Sequence, residues 1–275
     1  MKIGLALGGG GVRGFAHVVV LKALDDLGIK PSYIAGTSMG AIIGSMYASG
    51  VSGEAMLEMV HEHSVLKDDS LRMIYEKRDS LLEWLDVFAL TRERGGLIKA
   101  EGLFNLFVDK IKCDTFEELE IPLTIIAADY WSAEEVVFDK GELLPAIHAS
   151  MAVPGVYAPV CLDDRVLIDG GVVNLVPYDH VAPHCDITIA VDVGGSRFPD
   201  ETPVPNVMES LLGTIDVMQE AMLNNKLKRN PPDIFIHPEI KGIRMMEFTA
   251  IEEVLEQSQY VVDEMIEKLK ALQTG

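Results

Sequence analysis

The stretch Ile34–Gly50, IAGTSMGAIIGSMYASG, carries no charge and sets a lone serine, Ser38, between Gly36 and Gly40. It lies within an uncharged run over 31–53, 23 residues holding five glycines and five serines behind Pro31. That length could cross a bilayer. A spanning helix would carry more Leu, Ile and Val, so a buried strand leading into a tightly packed helix explains the composition better. The strand is expected over Ser32–Ala35 and the helix over 39–49. Gly40, Gly44 and Ala48 recur at i, i+4 and i+8, giving the helix a bare face that can approach a sheet closely. Between them, GTSMG fits the G-x-S-x-G pattern of a nucleophile elbow, in which a strained serine sits on a sharp strand-to-helix turn. The glycines two before and two after keep that turn free of side-chain collisions, and the helix N-terminus behind it favours developing negative charge.

Working outward, Lys2–Leu7 reads as a short buried strand and residues 12–27 as a helix closed by Gly28. Residues 53–111 read as a helical middle region broken by RERGG at 92–96. A strongly apolar strand over 121–131 is followed by an alternating hairpin partner at 133–141. A short helix at 142–151, a proline-punctuated loop, and strands at 165–171 and 186–194 come next. A long helix at 206–229, a strand at 233–239 and an amphipathic helix at 250–272 close the chain. Strands alternating with helices predict an α/β fold, a three-layer α/β/α sandwich around a mostly parallel sheet, with the hairpin making part of it mixed. No linker or repeat stands out, so the expectation is a single domain, 1–275.

The chain has 275 residues and a formal net charge of −20, with 48% hydrophobic and 24% charged residues. These proportions suit a globular domain, and the acidity opposes steering toward nucleic acid or anionic lipid. No nucleic-acid partner and no transmembrane segment are expected. Cys113, Cys161 and Cys185 are odd in number, widely spaced and form no CxxC pair, which argues against a disulfide framework and a structural zinc site. A cytoplasmic location is the simplest expectation. The apolar start imitates a signal peptide only briefly, because four glycines and Arg13 interrupt it.

Two further motifs carry chemistry. GGGGVRG, residues 8–14, lies between the first strand and the first helix. Gly9, Gly11 and Gly14 satisfy the G-x-G-x-x-G spacing of a dinucleotide site, but the next strand ends in Ala35-Gly36-Thr37 with no acid for a ribose. The Gly-Lys-Ser/Thr of a P-loop is absent. The remaining reading is a run of bare backbone N–H groups at a helix N-terminus, an oxyanion hole. Asp169-Gly170-Gly171 follows the apolar strand VLI. It is either an ordinary Asp-Gly turn or a carboxylate delivered to the cleft outside the carboxyl ends of the strands.

Together these segments resemble the patatin-like phospholipases, a family of serine acyl hydrolases. LALGGGGVRGFAHVVVLKAL is similar to their oxyanion segment, IAGTSMGAIIGSMYASG to their elbow, and ASMAVPGVYAPV with RVLIDGGVVNLVP to the segment bearing their aspartate. The resemblance covers about residues 3–195; residues 196–275 are expected to extend the same domain. It implies a Ser–Asp dyad without a histidine base: Ser38 as nucleophile and Asp169 as general base. It also implies an oxyanion hole from the N–H groups of Gly9, Gly10 and Gly11, with Met39 adding a donor and Arg13 fixing the loop. Gly14, Gly36, Gly40, Gly170 and Gly171 support the motifs. The implied activity is hydrolysis of a lipid or other acyl ester, without cofactor or metal; transient membrane contact is left open. The alternative is a catalytically weak regulatory or interaction module on the same fold.

His180, His184 and His237 follow Asp169 in the order a Ser–acid–His triad requires, yet none sits in a context that singles it out. His17, one turn beyond Arg13, reads as a structural hydrogen-bonder. His61 and His63 flank Glu62 without a third ligand at metal spacing. SLLEWLDVFAL at 80–90 is apolar nearly all round and reads either as a core helix or as a wall over Ser38.

Overall fold

The computed structural model describes residues 1–64, 110–194 and 207–274. The expectations for 80–90 and for the break at 92–96 lie outside the described residues. β1 (Ile3–Leu7) is followed by a 3-10 turn (Gly11–Phe15) and α1 (Ala16–Asp26). The single helix expected over 12–27 therefore begins as a tighter 3-10 turn, where the chain leaves the glycine run. β2 (Tyr33–Thr37) leads through Ser38 into α2 (Met39–Ala48), and α3 spans Gly53–Ser64. The uncharged run is thus a strand, an elbow and a helix. No helix among the described residues is long and apolar enough to cross a membrane.

β3 (Leu123–Asp129) and β4 (Glu135–Phe138) form the hairpin. Next come α4 (Leu143–Ser150), β5 (Val160–Leu162), β6 (Arg165–Asp169), a short α5 (Tyr178–Val181) and β7 (Ile187–Val191). α6 (Val207–Arg229), β8 (Ile234–Ile236), α7 (Ile251–Ser258) and α8 (Val261–Thr274) follow. The closing helix expected over 250–272 is two helices. They break at Gln259–Tyr260, where the Tyr260 hydroxyl accepts the Glu239 N–H at 2.8 Å. β5 falls where the sequence suggests only a proline-punctuated loop, because three residues are too few to carry a periodic signal.

The strands form one sheet, hydrogen-bonded in the order β5-β6-β3-β2-β1-β7-β8, with β4 also on β3. β1, β2, β3, β7 and β8 pair in parallel; β4, β5 and β6 pair antiparallel. The two sheet faces differ in residue size. Leu5, Leu7, Ile34, Ile125, Ile189 and Val191 join the main core, which α1, α2, α3, α7 and α8 cover. Ala6, Ala35 and Ala190 face the other way, against Val176, Tyr178, Val181 and Leu223 of α6. The helix of small residues behaves as its spacing predicts. A Cβ on Gly40 would lie 2.1 Å from the Leu7 carbonyl oxygen, and one on Gly44 would lie 3.3 Å from Ile34 Cγ2.

Candidate active site

Ser38 stands at the junction of β2 and α2 with φ 54° and ψ −121°. A non-glycine residue in that region costs about 1–3 kcal/mol and persists only where its surroundings impose it. Two glycines help to impose it. A Cβ on Gly36 would lie 2.4 Å from the Gly40 carbonyl oxygen, so the chain folds back on itself only with Gly36 bare, while Gly40 must be bare to pass the Leu7 carbonyl. A third support lies far along the chain: Ser150, on α4, accepts the Ser38 N–H at 2.8 Å and donates its hydroxyl to the Ile126 carbonyl at 2.6 Å. Sequence reading missed Ser150, because no local pattern marks a serine at the end of a helix as the anchor of an elbow 112 positions away.

Asp169 reaches Ser38 by a route that the parallel-strand rule does not provide. Ile125 to Ala128 pair with β4 along one edge of β3. On the other edge β2 runs up to Thr37 opposite Ile126, and antiparallel β6 runs down to Asp169 opposite Ala127. The two strands meet head to head on the same edge, so Ser38 and Asp169 emerge at adjacent register positions. Gly170 permits the meeting, since a Cβ there would lie 2.2 Å from the Ile126 carbonyl oxygen.

Asp169 is 5% exposed. Burial pushes its carboxyl up from 3.8 to about 6, while the nearby Ser38 hydroxyl and the Gly171 N–H pull the other way. The two carboxyl oxygens are not equivalent. Oδ1 accepts the Gly171 N–H at 2.7 Å. Oδ2 is buried and makes no hydrogen bond of good geometry. Ser38 is thus close enough to influence the carboxyl without being locked to it, and Oδ2 is the oxygen left to take a proton.

The glycine loop closes the site from the β1 side. Gly8 donates its N–H to Val191 and accepts from the buried His17 Nε2 at 2.8 Å. Burial holds the His17 ring down to about 4, so the ring is neutral and structural, as its helical position predicts. Arg13 Nε donates to the Gly10 carbonyl at 3.3 Å, and its guanidinium lies 4.0 Å from Asp216 on α6. Gly10 sits against the segment just past β7, where a Cβ would lie 2.6 Å from the Val193 carbonyl oxygen. Gly9 needs correction: its N–H donates to the Leu175 carbonyl at 3.1 Å and is therefore engaged within the fold. What Gly9 contributes is space, since a Cβ there would lie 3.3 Å from Ser38 Cβ. Gly14 gives room to Met39, whose Cγ would lie 2.3 Å from an added Cβ.

A pocket of about 330 Å³ is lined by Gly10, Gly11, Ser38 and Asp169, with Ile215 and Gln219 of α6 on the facing wall. Among the described residues no group of His, Cys, Asp and Glu has the makings of a metal site. His180 pairs with Glu135, His184 stacks on Tyr33 at 4.1 Å, and His61 Nδ1 lies 2.8 Å from Glu252. His237 does line the pocket, but its Nδ1 is held 2.9 Å from Asp192 Oδ2, which raises its affinity for a proton. Its carboxylate partner is Asp192, and Asp169 makes no hydrogen bond to it.

Fold and site together define a three-layer α/β protein with a strained serine elbow opposite a buried aspartate. The patatin-like phospholipase family model matches residues 5–182, and the chain belongs to that family. It is 35% identical over 208 residues to an uncharacterized NTE family protein of Mycobacterium bovis, covering 75% of this chain and 53% of that protein. It is 30% identical over 214 residues to patatin-like phospholipase domain-containing protein 6 of Mus musculus, covering 77% of this chain and 15% of that protein. Lysophospholipase nte1 of Aspergillus fumigatus is 25% identical over 294 residues, with 98% and 18% covered. The chain thus spans about half the length of its mycobacterial relative, and less than a fifth of the other two. Among solved structures, VipD from Legionella pneumophila has the same fold, with a TM-score of 0.50 at 12% identity over 96% of this chain and 66% of that one.

Proposed function

We propose that the protein is a serine-dependent acyl-ester hydrolase acting on lipid or lipid-like esters through a Ser38–Asp169 dyad. One observation carries the reading: a serine held at φ 54° on a G-x-S-x-G elbow, next to a buried aspartate with one unpartnered oxygen. Family membership and the relative named as a lysophospholipase support the substrate class.

Ser38 Oγ attacks the ester carbonyl carbon as Asp169 Oδ2 takes its proton. Negative charge gathers on the carbonyl oxygen and is met by the N–H groups of Gly10, Gly11 and Met39, the last at the N-terminus of α2. The C–O bond to the alcohol breaks, and the alcohol leaves with the proton from Asp169. Water, deprotonated by the same carboxylate, then attacks the acyl-Ser38 ester; the bond to Ser38 Oγ breaks as Asp169 returns the proton to that oxygen, and the acid is released. The Gly171 N–H keeps Oδ1 occupied and so aims Oδ2 at Ser38.

The test is labelling by a fluorophosphonate probe together with hydrolysis of a panel of acyl esters and phospholipids, in wild type and Ser38→Ala. Both signals are expected in wild type, and neither in the variant. A folded wild type that is neither labelled nor active would point instead to a regulatory or interaction module.

A further inference from the structure

We propose that Lys226, which does not line the pocket, is a positioning residue for the Ser38–Asp169 pair, tying helix α6 through Asn174 to the two loops that carry them. The inference rests on the hydrolase reading above.

Asn174 occupies a junction. Its own N–H donates to the Gly170 carbonyl at 2.8 Å, one residue beyond Asp169. Its carbonyl accepts the Thr37 hydroxyl at 2.9 Å, one residue before Ser38. The backbone of one residue therefore bridges the chain on either side of the dyad. Asn174 is 6% exposed, so these groups have little water to turn to if the bridge shifts.

The Asn174 side chain is fixed in turn by α6. Its Oδ1 accepts from Lys226 Nζ at 2.7 Å, while its Nδ2 donates to Asp179 at 3.1 Å and Glu135 at 3.3 Å. Lys226 spends its other two donors on the Val176 carbonyl at 2.9 Å and on Asp179, and lies 4.3 Å over the Tyr178 ring. An ammonium has three donors, and all three are committed to the segment that follows Asp169. Its neighbours on α6, Leu223, Asn224 and Leu227, line the pocket. The helix that forms the pocket wall and the loops that hold the dyad therefore share one anchor. A lysine serving only to fasten α6 would have no need of Asn174, since Asp179 and the Val176 carbonyl would suffice.

Losing the ammonium leaves Asn174 Oδ1 without its partner and the side chain held on its Nδ2 side alone, which loosens the Gly170 and Thr37 contacts that set the spacing of Ser38 and Asp169. A displacement of about 1 Å at reacting atoms can cost about 100-fold in rate. The experiment measures fluorophosphonate labelling rate, kcat and KM on a short soluble ester, and thermal melting, for the full chain as wild type, Lys226→Met and Lys226→Arg. Lys226→Met is expected to label and turn over about 10- to 100-fold more slowly per folded molecule, with KM little changed. Lys226→Arg, which keeps charge and donors, is expected to recover much of the rate. If Lys226→Met fails to fold because Asp179 is left unpaired, the double variant Lys226→Met/Asp179→Asn removes both charges and is expected to show the same loss. Wild-type labelling rate in a folded Lys226→Met or double variant overturns the positioning role and leaves the hydrolase reading standing. An unlabelled wild type overturns both.

Discussion

Replacing Asp169 by Asn should sharply reduce activity and stabilise the protein, and the stabilisation should depend on pH in one direction only. Asn keeps the shape and still offers an oxygen to the Gly171 N–H, which Asp169 accepts at 2.7 Å. It cannot accept the Ser38 proton, so labelling and turnover should fall by about 10²- to 10⁴-fold, the usual worth of a general base. The carboxyl is buried and titrates at about 6 instead of 3.8. At about 1.36 kcal/mol per pH unit, keeping it ionised inside the fold costs the native state about 3 kcal/mol. The sign follows from the raised value. Below about pH 4 the aspartate is neutral in both the folded and unfolded chains, and the cost is absent. It grows as pH rises toward 6 and is constant above. Asp169→Asn should therefore gain on wild type across that interval, reaching roughly 5 °C in melting temperature at neutral pH. Differential scanning fluorimetry of both proteins across pH reads this directly, since other titrating groups cancel in the difference. The same ionisation should cut wild-type kcat/KM about tenfold between pH 7 and pH 5. A melting difference that stays flat with pH, or an acid limb at an ordinary carboxylate value, would refute the reasoning.

Other perturbations test the supports of the site. Ser150→Ala strands the Ser38 N–H and the Ile126 carbonyl, each worth about 1–3 kcal/mol when left unpaired; lower melting temperature and slower labelling are expected together. Gly10→Ala drives a Cβ to within 2.6 Å of the Val193 carbonyl oxygen. The displaced loop should lower turnover by about 10²- to 10³-fold, the worth of an oxyanion donor, and an unimpaired variant would remove Gly10 from the proposed hole. His180→Gln and His237→Gln should each leave substantial activity, because their carboxylate partners are Glu135 and Asp192. Collapse in either, with the fold intact, would replace the dyad by a triad. Hydrolysis should persist in chelator, and its restoration by added calcium would reveal a site that the dyad reading does not contain.

The motifs were legible in sequence because their logic is local. The elbow needs Gly36 bare because the turn brings its backbone onto that of Gly40 a few residues on, and GTSMG states that requirement outright; Gly40 is bare for a longer-range reason, the approach of the Leu7 carbonyl. The glycine run before α1, the alternating hairpin and the buried strands are equally short-range, so α/β order and the mixed sheet follow from pattern alone. The elements missed were those whose signal is too short or too distant: three-residue β5, the break at Gln259–Tyr260, and the split of the first helix.

How the site is assembled was decided by tertiary structure. Nothing near Asp169 says that β6 will run antiparallel and meet β2 end to end on one edge of β3; that depends on the hydrogen-bonding capacity of a strand more than 40 residues upstream, with Asp169 opposite Ala127. Only the folded chain gives the Gly9 N–H to the Leu175 carbonyl. It alone brings Ser150 beneath the elbow and Lys226 beside Asn174. Residue type and spacing fix what a short segment can do. Which buried donors and acceptors find each other across the sheet is a property of the packed whole, because an unpaired polar group is costly there and each must be satisfied by whatever the fold brings within reach.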